Sequence, residues 1–293
     1  MSNELGEFLR SRRARIAPEV VGLPRGERRR VPGLRRDELA RLAGVSVEYY
    51  TRLEQGRSPN VSDSVLDAIA NALSLNETER QHLRTLVRPT RRARPSPRGA
   101  KIRDTVQMML DQMDRVPAFV LGLRLDVLAY NRLGDALFQF SATDDANVAR
   151  TLFLDPKARE MYREWVCAAQ DTVAVLRWTA TRNGDDPKLA ALVGELSIHS
   201  EDFRRLWAQH DVKEKTFGRK LLTHPLVGDL DLAFESFPIP GDEPDTMLIA
   251  YVPVPGSSSA DKLAVLASWS APEHESGVTP GSGVRTAADR VED

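Results

Sequence analysis

Residues 34–57 read LRRDELARLAGVSVEYYTRLEQGR, and their pattern decides the fold of the first third of the chain. Leu39, Ala40, Leu42 and Ala43 give a first short helix an apolar face. Asp37 and Glu38 fall in its opening turn, where the helix dipole favours acids. Gly44 breaks the pattern at the position after a helix that tolerates positive φ best in glycine. Ser46 is placed to cap a second helix. In that helix Tyr50 and Leu53, three apart, point back to the first, leaving Val47, Glu48, Tyr49, Thr51 and Arg52 outward. Ala40 is small enough for the two helices to approach closely, and Gly56 ends the second. The pattern is a helix-turn-helix whose second helix has the proportions to read the major groove of duplex DNA.

The charge of the chain is divided. Residues 1–100 contain twenty Arg, no Lys and twelve acids, a net of +8, while the remaining 193 residues carry −9. A basic first part on an acidic body points to a polyanionic partner for the first alone. Cys167 is the only cysteine, which excludes an internal disulfide and a cysteine-rich zinc finger. No apolar run approaches the roughly 20 residues that cross a bilayer, and the N-terminus is polar, so a cytoplasmic protein without membrane insertion is expected.

Outward from the helix pair, Glu4–Ile16 carries Leu5, Phe8, Leu9 and Ile16 at helical spacing, which suits a scaffold helix. Residues 17–33 form a long connection holding Arg25, Arg28, Arg29 and Arg30. Such a loop in a small domain is functional or disordered. Ser62 caps a helix through Leu73, and Asn76 with Glu79 makes a capping-box pattern opening a helix through Val87. Residues 1–88 therefore form an all-α domain of five helices, and residues 89–101, rich in Pro, Ser and Arg, a linker. Over residues 102–270 the pattern is α+β. Ile102–Asp114 reads as a helix, Pro117–Leu123 and Asp126–Tyr130 as a hairpin, and Asn131 caps a short helix ending near Phe140. Pro156–Arg182 reads as one long helix with Met161, Trp165, Val166, Ala169, Val173 and Leu176 on one face. Helices over Pro187–Leu196 and Glu201–Gln209 precede strand-like runs at Lys215–Thr223, Leu226–Phe237 and Thr246–Val254. The alternation of Leu230, Leu232 and Phe234 with acids is that of a strand with one wet face. A last helix, Ser259–Trp269, precedes a tail, residues 271–293, of disordered composition. The order implies one antiparallel sheet covered by helices.

The helix pair resembles the large Cro/C1-type group of regulators, the XRE family. The longer run PGLRRDELARLAGVSVEYYTRLEQGRSPNVSDSVLDAIANAL is similar to the MmyB-like transcriptional regulators. LGLRLDVLAYN, LFLDP, DDPKLAALVGELSIHSEDFRRLWAQHDV and HPLVGDLDLAFESF look like successive blocks of the ligand-binding domain of that family. The resemblance implies a lambda-repressor-like first domain, a PAS-like second domain, and a long apolar cavity able to hold a fatty acid.

On the DNA side, Arg36 opens the first helix of the pair, where Arg favours phosphate or a bidentate contact with guanine. Ser46, Val47, Glu48, Thr51 and Arg52 are the outward reader positions. Arg52 suits guanine, Glu48 a cytosine amine and Val47 a thymine methyl, each good bidentate contact being worth about 1–3 kcal/mol of discrimination. Tyr49 divides between packing and a phosphate contact, and Arg57 and Arg41 lie near the backbone. Regulators of this type generally bind double-stranded operator DNA as homodimers. Phe119, Leu121, Leu128, Phe153, Trp165, Val173, Leu176, Phe203 and Trp207 are candidate walls of an apolar ligand pocket, although aromatics at helical spacing usually form core. Arg177, His199, His210 and Tyr251 are candidate partners for a carboxylate head group. Nothing points to catalysis or to a cofactor. There is no HExxH pair, no GxSxG elbow and no phosphate loop. His210–Asp211 are adjacent on a helix and so do not face each other. Cys167, beside Trp165, reads as an inert buried thiol. The reading is a DNA-binding regulator that is not an enzyme and whose second domain senses a small apolar or fatty-acid-like ligand. Its rival makes that domain an interaction or dimerisation platform without a ligand.

Overall fold

The computed structural model describes residues 2–23, 33–57, 61–88, 102–214, 216–240 and 245–270. The arginines of residues 25–30, the linker over residues 89–101 and the tail over residues 271–293 lie outside them. The helical first part comprises α1 (Ser2–Arg15), a 3-10 turn (Pro18–Val21), α2 (Arg36–Leu42), α3 (Val47–Glu54), α4 (Asp63–Ala72) and α5 (Glu77–Val87). Its caps form as the residue types dictate. Ser46 Oγ accepts from Tyr49 N at 3.0 Å, Ser62 caps Val65, and Asn76 and Glu79 bond each other's backbone. Gly44 ends α2 at φ 65°. Phe8, Leu9, Leu39, Ala40, Tyr50, Leu53 and Ile69 are wholly buried in one core. Helices α1 and α3 cross at Gly6, where an added Cβ would lie 2.1 Å from the Glu54 carbonyl oxygen.

The second part begins with α6 (Asp104–Asp111), β1 (Ala118–Leu121), β2 (Val127–Tyr130) and α7 (Arg132–Phe138). Then follow α8 (Val148–Leu154), α9 (Lys157–Met161), α10 (Trp165–Arg182), α11 (Pro187–His199) and α12 (Glu201–Trp207). The chain ends in β3 (Phe217–His224), β4 (Gly228–Pro238), β5 (Met247–Pro253) and α13 (Ser258–Ser270). The five strands make one antiparallel sheet in the order β2-β1-β5-β4-β3. Helix α6 covers one face through Val106 and Leu110 against Val120 and Leu248. The larger core on the other face takes Leu222, Leu230, Leu232, Phe234 and Ile249 against α7–α13. Strand β1, covered on both sides, therefore reads as an unbroken apolar run. Asn131, buried, joins β1 to α7. Its Oδ1 accepts from Gly134 N and Ala118 N, and its Nδ2 donates to the carbonyls of Met113 and Val116.

Several sequence expectations need correction. The single helix over Pro156–Arg182 is two helices, because Tyr162 and Arg163 leave helical form to reach the edge of β3. Tyr162 forms a bridge with Leu222, and Arg163 N donates to Leu221 O at 3.0 Å. Val166 is exposed, not on the buried face. Cys167 is exposed as well, so it is not a buried thiol. His210 and Asp211 follow α12 in a turn with His210 at φ 57°, not on a helix. Helix α8, capped by Asn147 through the amides of Ala149 and Arg150, was not foreseen.

Candidate nucleic-acid interface and ligand pocket

Ser46 at the cap of α3 and Val47, Glu48 and Arg52 on it are exposed, Tyr49 and Thr51 are half-buried, and Arg41 and Arg57 are exposed beside them. Among the described residues the reader is thus open on its polar side, while Tyr50 and Leu53 hold its other side against α1 and α2. Glu54, 2 % exposed, anchors its end. The carboxylate lies 3.1 Å from Arg13, 3.2 Å from Arg36 and 3.5 Å from Arg10. Burial opposes the charge, but hydrogen bonds from Arg36 and Arg13 outweigh it and hold the carboxyl below its ordinary range. Arg36 therefore has a partner that the sequence reading did not include, although nearly half of its side chain stays exposed. Glu54 itself was missed; an acid buried among arginines from distant positions leaves no local signature.

A cavity of about 80 Å³ lies between the inner face of the sheet, α8 and α10. Phe119 and Tyr251 line it, together with Phe138, Phe140, Phe234, Met161 and Val175. The aromatic rings are in contact, Phe119 lying 4.9 Å from Phe140 and Phe138 lying 5.2 Å from Tyr251. Phe138, Phe140, Thr151 and Met161 also line an adjoining cavity of about 690 Å³, so a wall one side chain thick separates the two.

The polar end of the smaller cavity holds Asp171, Lys213 and Lys220. Lys213 Nζ donates to Asp171 Oδ1 at 2.7 Å, and Lys220 Nζ lies 3.7 Å from Asp171 Oδ2. Burial holds the Lys220 ammonium below its ordinary range; Asp171 works against that shift and Lys213 adds to it. Burial pushes the Tyr162 phenol up to about 12 and holds that of Tyr251 well above its ordinary range, with Tyr162 adding to the effect there. These lysines were absent from the sequence reading, yet a signal existed. Strand alternation puts Lys220 on the same face as Leu222, which is wholly buried.

The other sequence candidates lie elsewhere. Leu128 packs under α6 on the opposite face of the sheet. Leu121, Val173 and Leu176 are core. Phe153, Trp165, Phe203 and Trp207 form their own ring cluster, Phe153 being 5.2 Å from Phe203 and Phe203 5.5 Å from Trp207. Arg177 lies 4.0 Å over the Trp207 ring and donates to its carbonyl, and His199 is exposed at the end of α11. His210 meets α1, its Nε2 lying 3.4 Å from Glu7.

The two parts of the chain join at that helix. Arg12 Nη1 and Arg15 Nη1 lie 3.0 and 2.5 Å from Asp211 Oδ1. His82 of α5 is buried 4.8 Å from the Phe8 ring and 6.4 Å from that of Trp178 on α10. Burial, followed by the nearby Arg177 and Arg12, pushes His82 down to about 3 and His210 to about 4. Among the described residues no helix is long and apolar enough to cross a membrane, and no group of three or more His, Cys, Asp or Glu gathers as metal ligands do.

Comparison with known families divides the chain in the same way. A helix-turn-helix domain model matches residues 4–83. The model of the MmyB-like transcription regulator ligand binding domain matches residues 102–266. No curated protein matches the chain. With more than half of its length in that second match and an exposed reader helix in the first, the chain belongs to the MmyB-like transcription regulators, DNA-binding proteins that carry a ligand-binding domain.

Proposed function

We propose that this regulator senses a small amphiphile, an apolar chain carrying one anionic group, of which a fatty acid is the simplest example. The make-up of the cavity carries the reading. Its wall is aromatic and aliphatic, and at its polar end two ammoniums share one carboxylate. A neutral occupant leaves the surplus positive charge unmatched, whereas a carboxylate matches it with charge-assisted hydrogen bonds. On the DNA side, Ser46, Val47, Glu48, Tyr49, Thr51 and Arg52 enter the groove, with Arg36 and Arg57 at phosphates on its rim. The protein acts as a cytoplasmic homodimer on operator half-sites one turn (~34 Å) apart. Residues 1–88 are the DNA-binding unit and residues 102–270 the PAS-like sensor, which is not a catalyst.

One observation favours the rival reading of a platform without a ligand. The volume of about 80 Å³ is well below the roughly 300–1,000 Å³ of ordinary ligand sites. A long acyl chain fits only if Phe138, Phe140 or Met161 moves and opens the adjoining cavity. Calorimetry of the full-length protein with carboxylates from octanoate to octadecanoate, and with the alcohols of matching length, separates the two. At least one carboxylate should bind about tenfold more tightly than its alcohol. Lys220→Met should remove that preference and leave the alcohol affinity within about twofold. Equal affinity for acid and alcohol would defeat the head-group assignment, and no binding at any length would leave the platform.

A further inference from the structure

The segment Gln209–Lys213, shortly after α12, connects two places that the fold otherwise keeps apart. Gln209 O accepts from Arg15 Nη2 and His210 O from Arg12 Nη2, both at 2.9 Å. Asp211 takes both guanidiniums on one oxygen. Val212, 8 % exposed, is packed into the core of the helical half, beyond the end of its own domain. The next residue, Lys213, lines the ligand cavity. Its amide donates to Ala174 O of α10 at 3.2 Å and its ammonium to Asp171. Three consecutive residues thus grip α1, fill a gap in the DNA-binding half and face the pocket.

We propose that Asp211–Lys213 convey occupancy of the pocket to α1. The idea rests on the ligand reading above. An anion arriving beside Lys213 and Lys220 competes with Asp171 for both ammoniums and displaces the Lys213 end of the segment. Three residues span at most about 10 Å, so the displacement cannot be absorbed before it reaches Asp211. Val212 sits in close-packed surroundings, where small shifts are resolved as seated or unseated and not as gradual sliding. Unseating it weakens the hold of Asp211 on Arg12 and Arg15 and frees the DNA-binding half from the sensor. Linkage then fixes a sign. If occupancy weakens these pairs, deleting them strengthens occupancy by the same factor, although neither Asp211 nor Arg15 lines the cavity.

The test is dodecanoate titrated by calorimetry into the full-length wild type, Asp211→Ala and Arg15→Gln. Arg15 is nearly half exposed, so its variant tests the idea even if Asp211→Ala folds poorly. Dodecanoate should bind about fivefold more tightly to Asp211→Ala and about twofold more tightly to Arg15→Gln. Saturating dodecanoate should speed amide hydrogen exchange along α1 about fivefold in the wild type and leave it unchanged in Asp211→Ala. Unchanged or weaker binding in both variants overturns the proposal. If dodecanoate does not bind the wild type, exchange in the ligand-free Asp171→Asn protein decides, since that substitution releases Lys213 directly. Faster exchange along α1 would then sustain the coupling and unchanged exchange would end it, while the ligand reading stands or falls with the whole carboxylate series.

Discussion

The Glu54 carboxylate has three arginines around it, of which Arg13 is buried while Arg10 and Arg36 stay about half exposed; Arg36 is the one on the helix pair itself. Its guanidinium is already ordered by a buried acid, so a phosphate contact from Arg36 would cost less side-chain entropy than one from a free arginine. Arg52 and Arg57 are exposed as well, on the reader and just past its end. Arg52→Ala should relax base preference at one position per half-site, at a cost of about 1–3 kcal/mol on the specific duplex. Arg57→Ala should weaken specific and random duplexes alike and reduce the salt slope by about one. Binding isotherms on both duplexes at several salt concentrations check this, and equal losses on the two for Arg52→Ala would count against the assigned face. Residue patterns disclosed Ser46, Tyr50 and Leu53 because their roles are local. They failed for Cys167, whose side of α10 depends on where that helix begins. They failed also for Leu128, because alternation shows that a strand has two faces but not which face borders a cavity.

At the scale of elements, the signals that were legible are those written within a few residues. Ser62, Asn76 and Asn131 cap the helices their types announce, and Leu230, Leu232 and Phe234 face inward from β4 as their spacing requires. The break between α9 and α10 was not legible, because its cause is backbone pairing with Leu221 and Leu222 some sixty residues downstream. A tertiary bond overrode a helical pattern there. The crossing of α1 over α3 has a similar non-local origin and gives a direct test. Gly6→Ala puts a methyl group 2.1 Å from the Glu54 carbonyl oxygen, a rigid backbone atom, so the helices must separate. Urea unfolding should show a loss of about 1–3 kcal/mol. A variant as stable as the wild type would mean that the helices do not cross so closely.

For the whole molecule, the division of charge carried less information about DNA than it first suggests. Arg12, Arg13, Arg15, Arg36, Arg84 and Arg88 of the basic half pair with acids of the chain itself, two of them with Asp211 of the acidic half. Net charge does not distinguish an arginine aimed at a polyanion from one that joins two domains. The same junction sets a response to acid. His82 faces Phe8 and Trp178, with Arg12, Arg177 and His210 nearby, and its folded value of about 3 lies below the ordinary 6.5. The unfolded chain therefore takes up the proton first, and stability falls as pH drops from 6.5 towards 3, with no contribution above 6.5. His82→Phe, which cannot be protonated, should gain on the wild type by about 2 kcal/mol between pH 7 and pH 5. Urea midpoints at the two pH values check it, and a constant gap would refute the buried neutral histidine. The place of Val212 has a practical corollary. It plugs a hole in the DNA-binding unit from another stretch of the chain, so a fragment excised after residue 88 would carry an unfilled notch. A cut at the seam that composition draws takes one packed side chain out of the core of the helical half.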